Sequence, residues 1–146
     1  MDPNETMTEA LAAWLRTAPA LADLRALWVD DLPAVPGCAG LFPAGSGVTA
    51  RRENLLGQRF ARCRARWTLR LVLPHGTAGA PANARRLEAL ADWTAAQSAA
   101  GLAPRFGNAD PAAETLTAAG GLEKTGDEGT ATYAVTLTAE YTRQLC

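Results

Sequence analysis

Residues Phe60 to Leu73 read FARCRARWTLRLVL, and the period of this stretch decides the fold. Taken two by two, Ala61, Cys63, Ala65, Trp67, Leu69, Leu71 and Leu73 fall on one side. Phe60, Arg62, Arg64, Arg66, Thr68, Arg70 and Val72 fall on the other. Side chains alternate across a strand, so one face is made for a core and the other is studded with guanidinium groups. A helix would scatter the same arginines around its axis. Fourteen residues is more than twice the usual strand of roughly 5–6. The stretch is therefore expected to be the central strand, with helices packed on its apolar side.

The chain as a whole suits that role. With 146 residues, 48% hydrophobic and a net charge of −1, it reads as one domain, 1–146, of the commonest size, roughly 100–150 residues. Such a length buries enough surface to fold without disulfides or metal. Near-neutral charge argues against a general nucleic-acid binder. The charge is unevenly spread: Arg51, Arg52, Arg59, Arg62, Arg64, Arg66 and Arg70 supply half of the 14 basic residues within twenty positions. Cys38, Cys63 and Cys146 are odd in number and lack a C-x-x-C pair, which suggests free thiols in a reducing compartment. No run resembles a signal peptide or a membrane span of ~20 apolar residues, so export is not expected.

Outward from the central strand, the N-terminal side opens with a helix. Thr6 and Glu9 have capping-box spacing, and Met7, Leu11, Trp14, Leu15 and Ala18 follow helical spacing until Pro19 stops it. Leu24–Asp31 reads as a strand closed by Leu32-Pro33. A short strand around Ala39–Phe42 and another over Val48–Leu55 flank Gly45-Ser46-Gly47, read as a flexible loop. Leu56-Gly57-Gln58 then turns the chain into the central strand, giving an antiparallel hairpin.

Beyond Pro74, the loop HGTAGAPAN leads to a second helix over Ala84–Ala100. Asn83 is the expected N-cap and Gly101 the C′ residue. Its inner arc holds Leu87, Leu90, Ala91, Trp93 and Thr94, and truncating a buried Trp93 would cost ~3–5 kcal/mol. Leu102–Ala112 is a linker and Ala113–Ala119 a strand, after which Gly120-Gly121 and the segment Lys124–Gly129 punctuate the chain. Thr130–Tyr141 alternates again, with Tyr133, Val135 and Leu137 inward. The order predicts an α+β fold: a mostly antiparallel sheet of four to six strands, with two main helices packed on one face. Its expected core is Leu11, Trp14, Leu15, Trp67, Leu69, Leu71, Leu87, Leu90, Trp93, Tyr133, Val135 and Leu137.

Catalytic chemistry finds little support. Asp30 and Asp31 are adjacent, so on a strand they point apart and cannot work as an acid–base pair. Gly45-Ser46-Gly47 lacks both the outer glycines of a nucleophile elbow and the Lys-Ser/Thr ending of a phosphate loop. His75 is the only histidine and has no second imidazole or nearby cysteine with which to hold a metal. No catalytic residue, metal ligand or cofactor is expected.

Three groups of residues resemble a known family. One is Leu15–Leu21 (L-x-x-x-P-x-L) followed by Asp30-Asp31-Leu32-Pro33. Another is LADWTAAQSAAGLAP, with Leu90, Ala91, Trp93, Gln97, Gly101, Leu102 and Pro104. The last is Leu116–Leu122 (L-T-x-x-G-G-L) followed by Asp127–Tyr133 (D-E-G-T-A-T-Y). In order and spacing these resemble the small tail-completion proteins of long-tailed bacteriophages, often labelled minor capsid proteins and similar in architecture to tail terminators. The chain departs from that pattern in its alanine and arginine content and over Pro36–Gln58.

The resemblance implies a single tail-terminator-like domain and a non-enzymatic virion protein of the tail and neck, made in the host cytoplasm. It implies a homo-oligomeric ring, commonly a hexamer, that caps the tail tube protein, meets a head completion or connector protein, and touches no membrane. Genome DNA passing through the lumen would be a transient contact. Arg62, Arg64, Arg66 and Arg70 would then line the lumen or pair with acids of the adjacent subunit, because their own strand carries no acid. The alternatives are a solvated sheet face, or a nucleic-acid-binding α+β module using that face directly. The last usually displays stacking aromatics, and only Phe60 shares this face.

Overall fold

A computed structural model of the chain describes residues 3–33, 35–75, 79–109, 114–126 and 129–145, the side chains of residues 3–6 and 80 excepted. The expected strand start at Ala113, part of the 102–112 linker, the acidic pair Asp127-Glu128 and the Cys146 thiol lie outside these residues. The fold is α+β, with five strands in the order β1-β2-β3-β5-β4. Here α1 is Pro3–Leu15, β1 Ala26–Val29, β2 Cys38–Glu53, β3 Arg59–Pro74, α2 Gly79–Ala99, β4 Thr115–Thr125 and β5 Thr130–Leu145. Only β1 and β2 run parallel; the other neighbours are antiparallel.

The central stretch is strand β3, and its whole apolar side from Ala61 to Leu73 is buried. Facing residues of β5, from Ala131 to Tyr141 on the same side, complete the sheet's inner surface. Both helices cover this surface. The Trp67 indole Nε1 donates to Thr8 Oγ1 of α1 at 3.1 Å, and Asn83 of α2 donates to the Tyr133 hydroxyl at 3.2 Å. Leu11, Leu15, Trp67, Leu69, Leu71, Leu90, Tyr133, Val135 and Leu137 are buried, whereas Trp14, Leu87 and Trp93 are half-buried. Trp14 and Trp93 stack on each other, with ring centroids 4.4 Å apart. The Trp14 indole also donates to Gln97 Oε1. These two tryptophans seal the seam between the helices rather than the helix–sheet core, so one edge of each ring stays wet.

Several local expectations are corrected. Helix α1 begins at Pro3, where a proline's fixed φ suits the first turn. Thr6 is thus inside the helix and cannot be its cap. Helix α2 begins at Gly79, so Asn83 lies within it too. The Asn83 carboxamide instead donates to the Pro74 carbonyl oxygen at 2.7 Å, tying the end of β3 to the helix that follows. The C-terminus of α2 is as expected. Gly101 adopts φ 73°, and the amides of Gly101 and Leu102 bond the carbonyls of Ser98 and Gln97 in the two-bond Schellman pattern.

The two short strands flanking Gly45-Ser46-Gly47 are one sixteen-residue strand, with register shifts between Pro43/Ser46 and Val48/Ala50. A partner as long as β3 holds it together, and the bulges absorb the glycines. Pro43 is tolerated because β1 ends opposite Leu41, which leaves β2 an edge beyond that point. Gly120-Gly121 likewise does not interrupt β4, which continues to Thr125.

Candidate interaction surface on the open sheet

With both helices on one side, no described helix or strand layer covers the opposite side of the sheet, although the Asp31-Leu32 segment lies over it at Gly40. This is normal for an antiparallel sheet whose outward positions are polar. Register places Arg62, Arg64, Arg66, Thr68 and Arg70 of β3 opposite Thr142, Glu140, Thr138, Thr136 and Ala134 of β5. On the other flank, Gly40, Phe42, Gly47, Ala50 and Arg52 of β2 lie across from Arg70, Thr68, Arg64, Arg62 and Phe60. The result is a broad surface of arginine and threonine.

Three of its arginines are engaged within the chain. Arg64 Nε and Nη2 donate to Glu140 Oε1 at 3.1 and 2.8 Å, while Arg62 Nη2 lies 3.6 Å from Oε2 of the same carboxylate. Arg62 also donates to Thr142 Oγ1. Arg70 Nε reaches both oxygens of Glu123, at 3.3 and 3.0 Å, and its guanidinium lies over the Phe42 ring at 5.5 Å. The acids missing from β3 itself arrive from β5 and from the bulge of β4 between Leu122 and Lys124. Arg66 is the exception: exposed, opposite Thr138, and with no ion pair among the described residues. It borders an open depression of about 240 Å³ between the bulged segment of β2 and Arg64.

The Arg64 guanidinium holds Glu140 below the ordinary glutamate value near 4.5, with a smaller contribution from Arg62. A carboxyl that titrates lower when folded stabilises the fold above that ordinary value. Its contribution is lost as the pH falls through the lower folded value. The pair is solvent-exposed, so its worth is below ~1 kcal/mol. Carboxyl-resolved NMR titration of Arg64→Ala is expected to return Glu140 toward the unperturbed value. No movement would show that the pair does not persist in solution.

Elsewhere the described residues form no group of three or more His, Cys, Asp or Glu able to hold a metal. His75 Nδ1 lies 3.2 Å from the Tyr133 hydroxyl, which Asn83 also contacts, in a structural cluster at the end of β3. Cys38 and Cys63 are buried free thiols. No described helix is long and apolar enough to cross a membrane. Sequence reasoning missed Glu140 and Glu123, because which strand lies beside β3, and in what register, is invisible to a one-strand pattern. It also missed the tip of the β2–β3 hairpin, where Leu55 and Leu56 stand out in solvent. Neither a protein-family model nor a curated protein matches the chain.

Proposed function

We propose that the chain is a structural protein of a long-tailed bacteriophage virion. In this reading it is one subunit of a ring at the head-proximal end of the tail tube, joining the tube to the head-side connector. The observation that carries the reading is the one-sided architecture. Helices cover a single face of the sheet, the other face is a broad polar surface, and among the described residues the flank of β2 beyond Leu41 and the outer flank of β4 have no strand beside them. A subunit built this way can place flat surfaces and strand edges against neighbours on several sides.

The stretches that carry the family resemblance support it by where they fall. They occupy the end of α1 and the turn after it, the exit from β1, the C-terminal half and C-cap of α2, and parts of the β4–β5 pair. These are positions that set how elements are joined. On the open face, Arg66 is the residue best placed to meet DNA in a lumen or an acid of the next subunit. The pairing of Arg62, Arg64 and Arg70 with Glu140 and Glu123 removes much of the positive field that a direct nucleic-acid binder needs. Of the aromatic rings on that face, Phe60 lies under Arg52 and Phe42 under Arg70, while Trp28, opposite Gly40 at the sheet's edge, is exposed; a single open ring is a poor platform for stacking successive bases.

Negative-stain microscopy of the chain mixed with a tail-tube protein from the same genome is the test. Closed rings seated on tube ends are expected, and a chain that remains monomeric and binds no tube would end the reading. Replacing Arg62, Arg66 and Arg70 by serine is expected to impair ring assembly or to lower DNA affinity. Both quantities unchanged would remove the arginine face from the mechanism.

A further inference from the structure

The β2–β3 hairpin outruns the sheet it belongs to. β4 starts at Thr115 opposite Glu140, and Glu140 in turn faces Arg64. Residues Arg59–Cys63 therefore carry the hairpin ~17 Å past the start of β4, to the turn Asn54-Leu55-Leu56-Gly57-Gln58. At its apex Leu55 is 105% and Leu56 85% exposed. Gly57 supplies the positive φ of 81° that lets the turn close.

The turn satisfies its own backbone. The amides of Leu56 and Gln58 donate to Asn54 Oδ1, that of Gly57 to the Asn54 carbonyl and that of Asn54 to the Gln58 carbonyl, all at 3.0 to 3.1 Å. Asn54 Nδ2 donates to Gln58 Oε1 at 2.7 Å. The apex can thus leave water without stranding these donors. A shape fixed in advance also leaves little ordering entropy to lose on binding. Below the leucines stand Arg51, Arg52 and Arg59, all exposed and none in an ion pair among the described residues. Glu53 is the only acid between Val48 and Arg70. An apolar knob in a cationic collar has as its complement an apolar recess with a carboxylate rim.

The chain's own hollows are not that recess. The leucine groove beside Leu27 has Arg16 and Arg25 in its wall, which would repel the collar. The hollow between α2 and β4 sets Arg105 beside Glu114. An anionic bilayer offers the charge, but it rewards apolar area rather than a fixed shape, and interfacial anchors are enriched in Trp and Tyr, which this turn lacks. We propose that the Leu55-Leu56 apex plugs an apolar, Asp/Glu-rimmed recess on a protein of different sequence. The proposal rests on the ring reading only for where that protein is sought, namely the tube protein and the head-side connector of the same genome.

Titration calorimetry of the full chain against each of these purified proteins is the test. Wild type is expected to bind one of them, and Leu55→Asp with Leu56→Asp to weaken that binding at least ~100-fold, the loss that follows from withdrawing two leucines from an apolar site. Leu55→Asn with Leu56→Asn, which adds no charge, should weaken it as well. Both variants should melt as wild type does, because the apex lies outside the core. Arg51→Ser with Arg59→Ser is expected to weaken binding less and to flatten its salt dependence. Binding that the leucine variants leave unchanged would overturn the proposal, as would a wild type that binds neither protein. Leucine-dependent self-association, or leucine-dependent binding to phosphatidylglycerol vesicles, without leucine-dependent binding to either protein would assign the apex to a second copy or to lipid and overturn it equally. Rings that form while the aspartate variant keeps full affinity for both proteins would sink the plug and leave the ring reading standing. Leucine-dependent binding by a chain that never closes into rings would do the reverse.

Discussion

Trp67→Ala is expected to destabilise the fold by about 3–5 kcal/mol, lowering the melting temperature by roughly 10–16 °C for a chain of this size. Trp67 is 3% exposed at the middle of β3. It packs against Phe106, with ring centroids 5.4 Å apart, and its indole N–H bonds Thr8 of the first helix. Truncation opens a cavity, removes the indole N–H bond to Thr8 and loosens α1 from the sheet together. Trp93→Ala, by contrast, should cost roughly half as much, because that ring is only half-buried and stacks on Trp14 at the helix seam. Denaturant melts of the two variants side by side check this. Equal losses would mean that the seam, rather than the sheet surface, is the core's weak point.

The second large effect concerns two adjacent glycines in β4. A Cβ built at Gly120 would lie 2.4 Å from the Ala134 carbonyl oxygen and 2.8 Å from Val135 Cα, both on the neighbouring backbone of β5. Neither can swing aside as a side chain could. Gly120→Ala is therefore expected to cost ~1–3 kcal/mol through forced backbone shifts. Gly121→Ala meets nothing within 4 Å and should stay within ~0.5 kcal/mol of wild type. Thermal denaturation of the two single variants decides it. Equal behaviour would contradict the close approach of β4 to β5.

These two cases also mark how far the sequence could be read. The two-residue alternation of Ala61–Leu73 and of Ala131–Tyr141 was visible because a strand half buried in a core must place apolar groups on every second position, whatever its neighbours are. The Gly101 stop of α2 was visible for a similar local reason. Nothing local distinguishes Gly120 from Gly121, or shows that Gly45-Ser46-Gly47 runs on as strand, since both depend on what lies across the sheet. Asn83 has a cap's chemistry, but the carbonyl that it satisfies belongs to the end of β3.

The candidate site follows the same division. That Arg62, Arg64, Arg66 and Arg70 share a face was dictated by the chain itself, through the alternation of side chains along an extended backbone. Which of them remains free was decided only by strand order and register, which bring Glu140 and Glu123 beside three of them and Thr138 beside Arg66. In the sequence Leu55, Leu56 and Trp28 read as ordinary apolar residues; only the folded sheet leaves the two leucines in water at a hairpin tip and pairs Trp28 with Gly40 on the open side, because exposure is a property of the assembled layers.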